Sequence, residues 1–148
     1  MNKPFIIGVG NSARSDDGVG EYVASALKSA GFDGVALDID GTRLLDYFAM
    51  HDNLIIIDAV NHDSIALGEI LEFDALDKDL PVQWFHYSSH LIGVAEGIKL
   101  AKDLEALPKM LKVYGLGGKK FEYGFELAAE LQKAADALIL KIQSECTK

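Results

Sequence analysis

Gly8-Val9-Gly10-Asn11-Ser12-Ala13-Arg14-Ser15-Asp16-Asp17-Gly18-Val19-Gly20 leaves an apolar run and enters a helix-periodic one, and that change of period decides the fold. Ahead of it, Phe5-Ile6-Ile7-Gly8-Val9 is continuous, apolar and too short for a helix, so it reads as a strand buried on both faces. Behind it, Val19, Tyr22, Val23, Ala26, Leu27 and Ala30 recur at helical spacing, and Gly31 supplies a C-terminal cap. The alternation then repeats. Residues 35–39 read as a strand, 43–50 as a short helix, and 54–57 as the most apolar strand of the chain. Residues 68–73 mix apolar and acidic side chains as an edge strand does, and 74–81 form a polar linker. A helix over 91–107 ends at Pro108, a last strand spans 111–116, and a closing helix covers 121–144. The pattern predicts an α/β fold of three layers: a mainly parallel twisted sheet of about five strands, flanked by helices on both faces.

Composition narrows what such a fold does here. The 148 residues fit a single domain over 1–148, and 49% hydrophobic content supplies a core without disulfide or metal staples. Fourteen basic residues against 23 acidic ones give a net charge of −9, which repels phosphate backbones and anionic lipid, so neither nucleic acid nor a membrane is an expected partner. Cys146 is the one cysteine; it cannot form an internal disulfide, which suits a reducing compartment, and it reads as a thiol on a frayed tail. No apolar run approaches the ~20 residues of a membrane span, and Met1-Asn2-Lys3-Pro4 leads straight into the first strand. A cytoplasmic monomer is the expectation.

Candidate chemistry gathers at three places. Gly8, Gly10 and Ala13 satisfy the short dinucleotide fingerprint, but Asp16 and Asp17 occupy with negative charge the helix end that a pyrophosphate would need. Asp16 suits capping of the helix that follows; Asp17 is then free to project as a ligand for a metal or a metal-bearing substrate. Asp58 follows Ile55-Ile56-Ile57, where a carboxylate is costly to desolvate unless it has a partner or an open edge. With strand order beginning 2-1-3, Asp17 and Asp58 face one crevice at the switch point; a local turn role for Asp58, bonding to Val60 or Asn61, is the competing reading. His90 lies in Ser88-Ser89-His90-Leu91-Ile92-Gly93, where a serine cap would place it in a helix first turn, its imidazole kept neutral by the helix dipole. His86 precedes it by four residues but lacks a zinc-pair motif, and His51 and His62 read as solvated loop residues.

Taken in order, Gly8-x-Gly10-Asn11, Asp16-Asp17-Gly18-x-Gly20, Ile56-Ile57-Asp58-Ala59 and Ser89-His90-x-x-Gly93 resemble the hydrogenase maturation endopeptidases. The resemblance covers residues 5–140. It implies an enzyme that removes a C-terminal peptide from the large-subunit precursor of nickel-iron hydrogenase after nickel insertion. It further implies that Asp17, Asp58 and His90 are both the catalytic and the metal-contacting residues, with nickel supplied by the substrate and zinc or another divalent ion able to substitute. With no serine or cysteine nucleophile paired to a histidine, hydrolysis by water polarised at a metal is the simplest scheme. The chain departs from the family where Asp40-Gly41-Thr42 runs almost directly into Arg43-Leu44-Leu45, and where no proline follows Tyr114-Gly115-Leu116-Gly117-Gly118. Two other classes fit parts of the pattern: a small dinucleotide-binding domain, and a non-catalytic metal-binding assembly module of the same fold.

Overall fold

Alternation along two strands builds two separate cores. The computed structural model describes residues 3–38, 41–81, 84–85 and 93–146. In it β1 (Phe5–Val9) turns through a 3-10 segment (Ser15–Gly18) into α1 (Val19–Ser29), and β2 (Gly34–Leu37) leads through a second 3-10 turn (Gly41–Arg43) into α2 (Leu44–Met50). There follow β3 (Asn53–Val60), β4 (Ile70–Asp74), α3 (Val94–Asp103), β5 (Met110–Gly117) and α4 (Ala129–Cys146). The five strands are ordered β2-β1-β3-β5-β4, all parallel except the edge strand β4, which runs antiparallel to β5. Ile7, Leu54 and Ile56 point to the core shared with Leu44, Phe48 and Ile98 of α2 and α3. Ile6, Ile55 and Ile57 point to the opposite core with Val23, Leu27, Leu131 and Leu138 of α1 and α4. Burial on both faces is why these strands read as unbroken apolar runs. Truncating Ile56, which is fully buried, to alanine should cost roughly 2–5 kcal/mol.

Two glycines fix how α1 lies on the sheet. A Cβ at Gly8 would come within 2.1 Å of the Gly20 carbonyl oxygen, and one at Gly20 within 2.6 Å of the Ile57 carbonyl oxygen. Helix and strands therefore touch backbone to backbone, and the turn between them is drawn onto the carboxyl ends of β1 and β3.

The structure moves several boundaries. Helix α3 starts at Val94, not 91, with Gly93 at its N-cap, and the Gly93 N–H donates to Glu96 Oε1 at 3.0 Å. The N-cap of this helix is thus Gly93 and not a serine, and the expected positions of His86, Ser88, Ser89 and His90 lie outside the described residues. It also ends early, with Glu105 at φ 55° beyond it. The closing helix begins at Ala129 and not at 121, because the preceding loop binds elsewhere. Cys146 ends α4 packed against the core and is not a frayed thiol; burial pushes its pKa up. Among the described residues, no helix is long and apolar enough to cross a membrane.

Candidate functional site

The buried polar side chains among the described residues are Ser15, Asp16, Asp17 and Asp58. All four lie on the β1–α1 turn or on β3, at the carboxyl ends of neighbouring strands, which is the switch point of a doubly wound sheet. Their concentration in one place, and not their number, marks the site.

Asp17 is held from several directions. Its Oδ2 accepts the Asn11 N–H at 2.9 Å and lies 3.9 Å from Arg14 Nη1, while its own N–H donates to the Arg14 carbonyl. Gly10 makes the turn possible at φ 133°, where an added Cβ would meet the Asp17 carbonyl oxygen at 2.1 Å. Oδ1 is buried without a hydrogen-bond partner among the described residues. Burial raises the pKa of Asp17, Asn11 and Arg14 oppose the rise, and the Asp38 carboxylate adds to it. The Asn11 amide is the kind of donor a bound phosphate would need, and Asp17 already occupies it, which argues against the dinucleotide reading.

Asp58 lies within β3, paired with Val9 on one side and Gly115 on the other. The strand thus continues past Ile57. Neither Asp58 oxygen has a hydrogen-bond partner among the described residues, so the local turn role is not seen; the Ala59 amide opposes the rise of its pKa. Burial, then the neighbouring Asp17, hold its carboxyl well above the usual carboxylate range. Both aspartates are 0% exposed, which corrects any picture of them as surface ligands. Three buried carboxylate oxygens without a partner among the described residues are unstable as free charges, and a proton or a divalent cation resolves them. Oxygen donors of this kind suit such a cation, although no group of three candidate ligands forms among the described residues. His90, the expected third ligand, lies outside them.

Asp16 caps nothing in α1. Its Oδ2 accepts the N–H groups of Lys119 and Lys120 at 2.9 and 3.0 Å, and its Oδ1 accepts that of Ala128 at 2.9 Å. It therefore ties the loop after β5 to the turn that carries Asp17. Asp38, just past β2, is the residue that sequence reasoning missed: with Gly10 and Asn11 it lines a cleft of about 220 Å³ beside Asp17. The position of Asp38 at the carboxyl end of a strand next to β1 was the available signal. His51 stacks on Phe5 at 3.9 Å, and His62 Nδ1 bonds Ser64 Oγ at 2.7 Å, so both have protein partners.

Comparison with known proteins settles the lineage. The family model HycI, hydrogenase maturation protease, matches residues 37–145. The chain belongs to the hydrogenase maturation protease family. Protein FrxA of Pyrococcus furiosus is 30% identical over 135 residues, covering 88% of this chain and 97% of that one. The NiFe hydrogenase maturation protease HybD from Thermococcus kodakarensis superposes with a TM-score of 0.75 at 22% identity, covering 98% of this chain and 99% of its own. The hydrogenase maturating endopeptidase HybD from E. coli gives 0.79 at 21% identity, covering 97% and 91%. The family match includes Asp58 but begins after the Asp17 turn, so the tie between Asp17 and Asp58 rests on the sheet itself.

Proposed function

We propose that this family member is an endopeptidase of the cytoplasm that removes the C-terminal extension of a nickel-iron hydrogenase large-subunit precursor once nickel is in place, reading that nickel as part of its substrate. The observation that carries the proposal is the buried pair Asp17 and Asp58, with three carboxylate oxygens that have no hydrogen-bond partner among the described residues. Asp17 is fixed by Asn11 and offers Oδ1, and Asp58 offers both oxygens; the ring nitrogen of the set is assigned to His90 on the family resemblance. Two oxygen donors and an imidazole accept nickel(II), and zinc or another divalent ion as well, so selectivity comes from what the precursor carries. A carboxyl whose pKa is raised by burial and by a second carboxyl beside it is also placed for acid–base work at a scissile bond. The protein acts as a monomer in this reading. The test is incubation with purified large-subunit precursor, loaded with nickel or left empty, followed by mass spectrometry of the product. A shortened precursor is expected with the loaded form; an intact loaded precursor under conditions where the protein is folded would overturn the reading.

A further inference from the structure

Tyr123 and Phe125 are 79% and 70% exposed, and their rings stack edge to face at 5.4 Å. A scattered exposed apolar residue needs no explanation, but a contiguous group does. These two are not on a loose tip. Gly124 between them pairs with Arg14 in a parallel bridge, donates to the Ala13 carbonyl and accepts the Ser15 N–H, each at 2.8 Å. Ser15 Oγ donates to the Glu122 carbonyl, Arg14 Nε to the Phe121 carbonyl, and Asp16 holds amides at both ends of the loop. The turn that carries Asp17 thus holds the aromatic pair in a fixed arrangement. Such preorganisation lowers the entropy lost when a partner binds.

Beside the pair runs a groove of about 480 Å³ along α1. Phe125 and Leu127 form part of its wall, Ser25 and Ala26 line it, and it extends from Gly18, next to Asp17, to Ser29. Eleven helical residues span about 16 Å, the length of roughly five residues of extended chain. Glu21 is the only charged side chain in its lining among the described residues. Exposed Glu122 and Glu126 flank the aromatics, and Asp136 accepts the Tyr22 hydroxyl at 2.7 Å. Of the nearby cations, Arg14 lies against the Phe121 carbonyl and Asp17, and Lys119 Nζ donates to the His62 carbonyl.

From this geometry we infer that the groove and its aromatic rim dock a segment of about five residues of the precursor protein, one that joins an aliphatic or aromatic side chain to a lysine or arginine. The inference rests on the precursor being the substrate. It assigns substrate affinity to a surface that contributes nothing to the reacting atoms.

Purified nickel-loaded precursor, wild type and two double variants test it, with cleavage kinetics, direct binding and sedimentation measured on each. Tyr123→Ser with Phe125→Ser should raise KM and the dissociation constant at least tenfold, with kcat within about twofold of wild type and unchanged thermal melting. Glu122→Lys with Glu126→Lys should weaken binding at low salt, and the difference from wild type should vanish near 1 M salt, where the Debye length is about 3 Å. Unchanged KM and affinity in both variants would overturn the docking surface. So would loss of self-association in the aromatic variant with KM unchanged, because the face would then belong to a second copy of the chain. If the wild type binds the precursor without cleaving it, and the aromatic variant does not bind, docking stands while the peptidase reading fails.

Discussion

Asp17 raises the pKa of Asp58 from the next strand's turn, and the two carboxyls are both fully buried, Asp58 without a hydrogen-bond partner among the described residues. For a carboxyl whose native pKa is raised, the folded state binds the proton more tightly than the unfolded state does. Its contribution to stability is complete below the unfolded value of about 3.9 and is lost as pH rises toward the native value. Asp58→Asn removes that loss. The variant should be more stable than wild type at pH 7 by roughly 1 kcal/mol, with the gap closing near pH 4. Thermal melts across that range decide it; parallel pH profiles would show that Asp58 is not destabilised by its charge.

Asp16 and Asp17 are adjacent and acidic, yet they should fail in opposite ways. Asp16→Ala leaves the part-buried amides of Lys119, Lys120 and Ala128 without their acceptor, at a cost of roughly 1–3 kcal/mol. Urea unfolding should show that loss, and hydrogen exchange should speed up at those three amides first. Retained protection there would mean the loop is held by other contacts.

Asp17→Asn keeps an oxygen for the Asn11 N–H and should leave circular dichroism and melting near wild type, while processing falls about a hundredfold or more. His90→Ala should do the same. Either variant with full cleavage activity would remove that residue from the site.

The contrast between the two aspartates also shows where sequence reading stops. The change of period at Gly8–Gly20, the order 2-1-3 and the approach of Asp17 to Asp58 were legible because strand-to-helix periodicity and right-handed crossovers are local or topological rules. The role of Asp16 was not, since its partners lie more than a hundred residues away and no pattern near Asp16 announces them. The same distant bonds keep 121–128 out of α4, although that stretch carries helix-compatible residues. Asp38 was missed because an exposed aspartate after a short strand looks like any solvated loop acid, and its effect on Asp17 acts through space.

Metal affinity of the isolated protein should weaken as pH falls. If His90 is a ligand, its protonation competes with the cation, and the raised pKa of Asp58 brings a second competing proton into play at higher pH than an ordinary aspartate would. Calorimetry with nickel at two pH values, with Asp58→Asn as control, reads both. Affinity unchanged by acidification would exclude ligation by these groups.

The last prediction concerns the order of events in maturation. If Asp17, Asp58 and His90 contact nickel that the precursor already holds, the metal bridges two proteins, and its contribution to affinity exists only for loaded precursor. A bridging contact worth about 3 kcal/mol favours loaded over empty precursor by roughly two powers of ten. The docking groove binds both forms alike, so it raises affinity without discriminating; discrimination must come from the metal. Loaded precursor should be cleaved efficiently, empty precursor negligibly, and the detached tail peptide not at all, because it carries no metal. Equal cleavage rates for loaded and empty precursor, measured with chelator controls, would sink the checkpoint even if the protein proves to be the peptidase.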